Sequence, residues 1–252
     1  MGSKMVGKVE QYILDKISKE GAIHMTLIDP EKVTPESAVK TATEAQSCNT
    51  SAIMVGGSTS ISSSHLDEVT KALKASVKIP IILFPGNHSG VTKHADAIWF
   101  MSLLNSADPY FLTGAQVLGA PIIKKFGIEP LSMGYVIVGE GGTVSVVGKA
   151  NPIPYSKPEL AVAHALAAQF FGMHFVYLEA GSGVGNHVPA ALVKAVKTAT
   201  NIPIIVGGGI RTGEQAKEIA NAGATIIVTG NVLEETSKKS KIQELISNVK
   251  TK

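Results

Sequence analysis

The sequence contains little cysteine, few aromatic residues and little net charge. Cys48 is the only cysteine, which excludes a disulfide or a cysteine-cluster metal site within one chain and favours a reducing, cytoplasmic location. A net charge of +3 is too small to indicate nucleic-acid binding, and the densest basic run is only Lys238-Lys239-Ser240-Lys241. We therefore expect no nucleic-acid partner.

Long apolar runs are missing as well. No uninterrupted run approaches the roughly 20 residues that a membrane-spanning helix requires, and the segment from Met1 to Glu20 is charged and amphipathic, unlike a signal peptide. A hydrophobic fraction of 44% with 17% charged residues is instead typical of a folded, well-buried domain. The sequence thus predicts no membrane span.

Eight short apolar runs alternate along the chain with segments of helical periodicity. This alternation predicts a parallel sheet of the α/β class. Eight strands in 252 residues favour a closed (β/α)8 TIM barrel, formed as a single domain by residues 1–252. The predicted strands are Ala22–Ile28, Ser51–Val55, Ile79–Phe84, Ala97–Ser102, Leu131–Val138, Phe175–Glu179, Ile202–Val206 and Thr225–Thr229.

Two segments depart from an ideal barrel. Only twelve residues separate Phe84 from Ala97, so we expect the third helix to be missing or vestigial. The segment Gly139–Lys157, after the fifth strand, is a long loop that is rich in glycine and interrupted by prolines. Such loops are usually functional or disordered. Its position over the barrel mouth favours a lid or substrate gate, and a plain surface excursion is the alternative.

Glycines follow each of the last three predicted strands, in Tyr177–Gly183, Val206–Gly213 and Thr229–Asn231. Glycine lets backbone N–H groups approach a phosphate, and barrel enzymes frequently bind phosphate at these loops and a helix N-terminus. The pattern predicts a phosphate site at the top of the barrel, whereas the alternative is that the glycines serve only tight turns. Flavin, sugar phosphates and other phosphate esters are all bound in this way.

A second group of polar residues follows the first two predicted strands. Asp29 ends the first strand, and Val55-Gly-Gly-Ser-Thr59 places a hydroxyl on the neighbouring loop. One carboxylate and one hydroxyl, completed by water and a phosphate oxygen, is a typical Mg²⁺ arrangement that would neutralise a diphosphate. An equal alternative is that Asp29 caps a helix or pairs with Lys32. The histidines show no spacing typical of zinc ligands.

Five segments together resemble the geranylgeranylglyceryl phosphate synthases: His24–Lys32, Val55–Ser58, Tyr177–Gly183, Val206–Arg211 and Thr229–Asn231. The Tyr-Leu-Glu-Ala-Gly-Ser-Gly string is the most specific, whereas Gly-Gly-Gly-Ile-Arg is shared with many phosphate-binding barrels. The resemblance implies a Mg²⁺-dependent prenyltransferase of archaeal membrane-lipid synthesis with an irregular third βα unit. Such an enzyme joins the geranylgeranyl group of geranylgeranyl diphosphate to the 3-hydroxyl of sn-glycerol 1-phosphate, which forms the first ether bond.

The same resemblance implies roles for individual residues. Asp29 and Ser58 would contact the metal. Bacterial relatives carry lysine two residues before the metal aspartate, where this chain has Leu27. This difference favours the archaeal branch and its subgroup of dimer-based homo-oligomers, up to a hexamer. The residues that would hold glycerol phosphate are Tyr177, Leu178, Glu179, Ala180, Gly181, Ser182, Gly183, Gly208, Gly209, Gly230 and Asn231.

Two catalytic residues and three groove residues follow from this interpretation. Glu179 is the only carboxylate in the phosphate loops, so it either deprotonates the glycerol hydroxyl or only binds it, and Tyr177 would help to orient that hydroxyl. An apolar groove must hold the prenyl chain. We predict that its walls include Trp99, Phe100 and Tyr110, although core packing explains these residues equally well.

Two other functional classes stay open on the sequence alone. A flavin- or sugar-phosphate-binding oxidoreductase or isomerase would use the same C-terminal loops, but it gives no reason for Asp29 beside Gly-Gly-Ser. A non-catalytic barrel that binds a phosphate ligand is the second, because a fold alone does not determine a function.

Overall fold

The protein is a closed barrel of eight parallel strands in chain order, with the eighth strand paired to the first. The computed structural model describes residues 6–57, 62–230 and 239–251. This confirms the predicted (β/α)8 barrel, and every strand bound lies within two residues of its prediction. The strands are β1 (Ile23–Ile28), β2 (Ala52–Val55), β3 (Ile81–Leu83), β4 (Ala97–Leu103), β5 (Glu129–Ile137), β6 (Phe175–Glu179), β7 (Ile204–Gly207) and β8 (Ile226–Thr229).

Helices surround the barrel and close its lower end. They are α1 (Lys8–Glu20), α2 (Pro35–Ser47), α3 (Ser63–Ser76), α4 (Ala115–Phe126), α5 (Gly142–Val147), α6 (Pro158–Phe170), α7 (Ala190–Ala199), α8 (Gly213–Asn221) and α9 (Lys239–Ser247). The described residues also form a 3₁₀ turn at Pro30–Lys32 and a π turn at Tyr110–Gly114. No helix of the described residues is long and apolar enough to cross a membrane.

Side chains cap several of these helices at their N-termini, including α8 and α1. Thr212 caps α8, because its hydroxyl accepts the Gln215 N–H at 3.2 Å. The Glu129 carboxylate accepts the N–H groups of Val9 and Glu10 at 2.8 Å each, so a negative charge sits at the positive end of α1. Since Ile13 of α1 is fully buried, this helix packs firmly onto the barrel.

The helix expected after β3 is absent. Residues 84–96 form only turns and bends before β4 begins. Asp96 closes this short connection, because its Oδ2 accepts the Ile81 N–H at 2.9 Å and thereby ties the end of the connection to the start of β3. The prediction from the short spacing is confirmed, and the connection leaves this side of the barrel mouth open to the groove described below.

The long segment after β5 carries a short helix, α5, which its many glycines did not predict. Asn105 fastens the far part of the segment, since its Nδ2 donates to Ile137 O at 2.9 Å and to Asn151 O at 2.8 Å. A parallel bridge between Val138 and Ile153 holds the same region. The segment is therefore anchored at both ends of its excursion, and the helical part lies between the anchors.

The alternation of side chains along β6 decides which residues reach the interior. Phe175 and Tyr177 belong to the apolar cluster inside the barrel. Val176, Leu178 and Ala180 belong instead to the cluster between the barrel and its outer helices. Because successive strand residues point to opposite faces, Glu179 shares the inner face with Tyr177. The inner face of β6 thus ends in a phenol followed by a carboxylate.

His24 is a buried structural histidine. Its side chain is 2% exposed, and its Nδ1 and Nε2 lie 2.9 Å from Thr50 Oγ1 and 2.8 Å from Thr229 Oγ1. Burial lowers the pKa of His24 from 6.5 to about 3, because the charged imidazolium loses its hydration. The folded state therefore keeps this side chain neutral over most of the acidic range.

Acid should weaken the fold through His24. Below pH 6.5 the unfolded chain binds a proton at His24, whereas the folded chain binds this proton only near pH 3. The free energy of unfolding therefore falls as pH falls through that window. We expect a loss of roughly 1.4 kcal/mol per pH unit from this group. Urea unfolding of wild type and His24→Gln at pH 7 and pH 5 measures it. An equal acid loss in both proteins would contradict the assignment.

Candidate active site

One cavity of about 480 Å³ opens at the carboxyl ends of the strands, where barrel enzymes place their active sites. Its polar lining comes from the loops after β1, β2, β6, β7 and β8 and includes Asp29, Gly57, Glu179, Ser182, Gly208, Arg211 and Gly230. Its apolar lining comes mainly from β4, the π turn and α4 and includes Ile98, Trp99, Phe100, Met101, Phe111, Ala115 and Ile123. The cavity therefore has a polar end and an apolar arm.

Glu179 lies at the polar end of the cavity and is 6% exposed. Its carboxylate is the acceptor in the hydrogen bonds described next. Its Oε1 accepts the Gly181 N–H at 2.7 Å, and the hydroxyls of Tyr177 and Tyr135 also hydrogen-bond to the carboxylate. Burial raises the pKa of Glu179, and these three hydrogen bonds partly offset the rise by stabilising the charged form. The result is a fixed carboxylate with increased basicity.

Tyr135 is a site residue that sequence reasoning missed. It pairs with Tyr177 across the adjacent strands β5 and β6, so both phenols point to the same side. Their rings meet edge-on with centroids 5.2 Å apart. Phe84, which follows β3, stacks on Tyr177 with centroids 5.5 Å apart. A tyrosine at an inward position of β5 was the available signal, but its partner depends on strand register.

The glycines at the end of β7 make room for these side chains. A Cβ at Gly207 would overlap the hydroxyl of Tyr177, and a Cβ at Gly208 would overlap Oε1 of Glu179. Gly208 also has φ +84, a conformation that favours glycine. The glycines therefore do more than form a turn, because they bring the backbone against the phenol and the carboxylate.

The residues predicted to hold glycerol phosphate do not all line the cavity, since Gly181 is not part of the described lining and its N–H donates to Glu179. Those that line the cavity are Tyr177, Glu179, Ser182, Gly183, Gly208, Gly209 and Gly230. The side chains of Leu178 and Ala180 pack on the outer face of the barrel instead. Asn231 lies outside the described residues. The structure thus brings residues of three glycine-containing loops together around one end of the cavity.

Arg211 adds a cation to this end of the cavity and was not among the predicted site residues. Its Nη2 donates to Val184 O at 3.3 Å, so the guanidinium lies between the loops after β6 and β7. Of the described residues that line the cavity, Arg211 is the only lysine or arginine. A doubly charged phosphate in these loops would find this guanidinium as a compensating cation.

The loop after β6 also packs directly on the segment that carries α5. Gly141 N donates to Ala180 O at 3.0 Å. A Cβ at Gly181 would lie 2.5 Å from the carbonyl carbon of Gly141. The two backbones therefore touch with no side chain between them, and Val144 and Val147 of α5 line the cavity beside this contact.

Asp29 lies at the opposite side of the polar end and makes both contacts that the sequence left as alternatives. Its Oδ1 accepts the Glu31 N–H at 3.1 Å, and its Oδ2 lies 3.3 Å from Lys32 Nζ. It also lines the cavity, with the backbone of Gly57 packed against its carboxylate so closely that a Cβ there would lie 2.6 Å away. Capping and exposure to the cavity coexist in one side chain.

The described residues contain no cluster of three metal-ligating side chains. Ser58, the predicted hydroxyl partner of Asp29, lies outside the described residues. The carboxylate of Asp29 on this side of the cavity suits Mg²⁺, which usually takes one or two carboxylates and completes its shell with water and substrate phosphate oxygens. The same donor set does not suit zinc, which prefers nitrogen and sulfur ligands.

The predicted groove residues are partly brought together. Trp99 and Phe100 line the apolar arm, and Trp99 packs edge-on against Phe175 with ring centroids 5.2 Å apart. Tyr110 is not part of the described lining, and its hydroxyl lies 2.7 Å from Nδ1 of His88, which does line the cavity. Tyr110 is thus connected to the cavity lining through its hydrogen bond with His88.

Comparison with known proteins agrees with this geometry. The PcrB family matches residues 15–249. The chain is 56% identical to the geranylgeranylglyceryl phosphate synthase of Thermofilum pendens, over 97% of this chain and 94% of that protein. It is 51% identical to the enzyme of the same name from Pyrococcus abyssi, over 97% of this chain and 99% of that protein.

Solved structures give the same result. The (S)-3-O-geranylgeranylglyceryl phosphate synthase from Thermoplasma acidophilum, in complex with substrate sn-glycerol-1-phosphate, has a TM-score of 0.93 and 43% identity and covers 98% of this chain and 99% of that chain. Thiamine phosphate pyrophosphorylase from Pyrococcus furiosus, at 13% identity and a TM-score of 0.58, shares only the fold.

Proposed function

The chain belongs to the PcrB family, and on that premise we propose that it transfers the geranylgeranyl group of geranylgeranyl diphosphate to the 3-hydroxyl of sn-glycerol 1-phosphate. One observation carries the proposal: a single cavity joins glycine-rich loops of the phosphate-binding kind to an apolar arm. A small phosphate ester explains the loops, and a prenyl chain explains the arm. Glu179 lies at the loop end, where the hydroxyl of the ester would be presented.

Different residues of this chain would bind the substrates and move the proton. Backbone N–H groups of the loops after β6, β7 and β8, together with Arg211, would hold the phosphate of glycerol phosphate. Glu179, fixed by two phenols and the Gly181 N–H, would take the proton of the attacking hydroxyl. Because both substrates are held in one cavity, proximity would supply much of the rate.

The charge of the two substrates favours a divalent cation. The described lining contains the carboxylates Asp29 and Glu179 and the single guanidinium of Arg211, whereas a phosphate and a diphosphate together carry several negative charges. We propose that Asp29 and Ser58 contact Mg²⁺. When bound, the ion would neutralise the diphosphate leaving group. Asp29 would thus contact the ion on the diphosphate side of the cavity, across from Glu179.

The rival functions explain less of the cavity. A sugar-phosphate or flavin barrel would use the same loops, but it would leave the apolar arm along β4 and α4 without a ligand. A non-catalytic phosphate-binding barrel gives no reason for a buried carboxylate with three donated hydrogen bonds. A yellow purified protein would indicate the flavin class. Binding of a phosphate ester without turnover would indicate the non-catalytic class.

One incubation tests the proposed function. The protein is incubated with sn-glycerol 1-phosphate, geranylgeranyl diphosphate and Mg²⁺, and the organic extract is analysed for the prenyl ether. We expect product with this substrate and much less with the enantiomeric glycerol phosphate. No product from either enantiomer, with a folded protein, would refute the proposal.

The length of the apolar arm should determine the prenyl chain that is accepted. Trp99 lines the arm and is 1% exposed, so its removal would lengthen the space behind it. We expect Trp99→Ala to accept a C25 diphosphate several-fold better relative to C20, whereas Trp99→Phe, which retains a wall, should change little. Competition between the two diphosphates measures the ratio. An unchanged preference in Trp99→Ala would exclude Trp99 as the end wall.

We also propose that the protein forms a dimer-based homo-oligomer, up to a hexamer. Phe170 and Phe171, at the end of α6, are 78% and 74% exposed, and an adjacent pair of exposed phenylalanines is the kind of surface that subunit contacts bury. Light scattering of the purified protein gives the mass directly, and a monomer at micromolar concentration would contradict this part of the proposal.

A further inference from the structure

An aromatic cluster crosses the interior of the barrel mouth. Phe84 stacks on Tyr177 at 5.5 Å with 13° between the ring planes. Tyr135 meets Phe84 edge-on at 5.5 Å and Tyr177 edge-on at 5.2 Å. All three rings line the cavity. Because β4 and β5 separate β3 from β6 in the barrel, the contact between Phe84 and Tyr177 reaches across the interior and does not join neighbouring strands.

The cluster occupies the middle of the polar end. On one side, Pro85, which follows Phe84, lines a small cleft together with Asp29 and Gly57. On the other side, the Tyr177 hydroxyl bonds to Glu179. The rings therefore lie between the carboxylate at the diphosphate side and the carboxylate at the glycerol side. In the proposed reaction, this is where the allylic carbon passes from one oxygen to another.

We infer that the Phe84 ring, backed by Tyr177, stabilises the allylic cation through its π face. This inference rests on the proposed function. In the step, the bond between the allylic carbon and the diphosphate oxygen breaks, and the electron pair leaves with diphosphate. The glycerol 3-hydroxyl oxygen then bonds to that carbon, and its proton passes to Glu179. A cation over an aromatic face is attracted by the ring quadrupole, most strongly where water is excluded.

The two tyrosines suit the neighbouring positions because they stay protonated. Burial raises the pKa of Tyr177 and of Tyr135 well above the ordinary value, and the nearby charge of Glu179 raises both further. A neutral phenol is a weaker nucleophile than a phenolate, so the raised pKa values limit the competition of both tyrosines with glycerol phosphate for the cation. Phe84 has no oxygen at all, which makes it the safest ring to face the reacting carbon.

A fluorination series at Phe84 tests the inference without changing shape. Phenylalanine analogues with one, two and three ring fluorines replace Phe84, and kcat and KM are measured by steady-state kinetics, with single-turnover rates as a check that chemistry limits kcat. Fluorine withdraws electron density from the ring face, so log kcat should fall stepwise with fluorine number. The total fall should lie between about twofold and thirtyfold, the range that corresponds to cation–π contacts. KM for glycerol phosphate and Tm should stay constant.

Phe175 provides the matched control. It is fully buried against Trp99 and is not part of the described cavity lining, so the same series there should leave kcat unchanged. A flat series at Phe84 in a protein whose wild type forms the ether would overturn the inference alone. Absence of product from wild type would overturn the proposed function and the inference with it. Equal falls at Phe84 and Phe175 would also overturn the inference, since they would indicate a packing effect.

Discussion

Glu179→Gln should lower kcat by about two to four orders of magnitude, the contribution typical of general acid–base catalysis. Glutamine retains the shape of the side chain and an oxygen that accepts the Gly181 N–H, so binding of glycerol phosphate should change only a few-fold. The variant cannot take a proton, however. Steady-state kinetics at saturating geranylgeranyl diphosphate separates kcat from KM for glycerol phosphate.

The pH profile gives a second readout for the same residue. Burial raises the pKa of Glu179, so the carboxylate of wild type should become protonated, and kcat should fall, at a pH above the ordinary glutamate range. The variant should lack this acid limb. Glu159→Gln, a change of an exposed carboxylate on α6, serves as control. Near-full turnover by Glu179→Gln at saturation would leave Glu179 only a binding role, which is the alternative reading of this residue.

Asp29→Asn should produce the second large loss. Asparagine still caps the turn at Pro30–Lys32, so the local fold is retained while the negative charge that would attract Mg²⁺ is lost. We expect kcat/KM for the diphosphate to fall by about two orders of magnitude, because second-sphere and ligand losses at metal sites commonly cost 10- to 100-fold or more. The Mg²⁺ concentration for half-maximal activity should rise in parallel.

The control for Asp29 is Glu36→Gln, which removes an exposed carboxylate from the first turn of α2. It should leave both the turnover and the Mg²⁺ dependence unchanged. Activity of wild type that persists after exhaustive chelation would contradict the metal proposal, and an Asp29→Asn protein with a normal Mg²⁺ midpoint would remove Asp29 from it.

The barrel could be predicted because each strand carries its own local signal. A run such as Phe175–Glu179 is short, mostly apolar and followed within two residues by glycine, and nothing distant is needed to recognise it. The missing helix after β3 followed from spacing alone. By contrast, α5 begins at Gly142 in a segment whose glycines disfavour helix, so its six residues depend on tertiary packing that the sequence does not display.

Only the parts of the candidate site that are formed by residues adjacent in the sequence were predicted. The loops after β6, β7 and β8 were identified because each glycine cluster is contiguous. Tyr135 was missed because its role depends on register with Tyr177, and Phe84 because its stacking partner lies on a strand that is not adjacent to β3. Leu178 shows the opposite error. It belongs to a contiguous motif that was assigned to the site, but the strand turns its side chain away from the cavity.

The backbone contact between Gly141 and Gly181 determines how this protein can be re-engineered. Two loops that touch without intervening side chains must match each other in shape, so neither can be exchanged alone for its counterpart from another barrel. The excursion from Val138 to Ile153 and the turn after β6 form one transplantable module, with Asn105 as its outer attachment. A chimaera that replaces both should fold, whereas a chimaera that replaces one brings two mismatched backbones together.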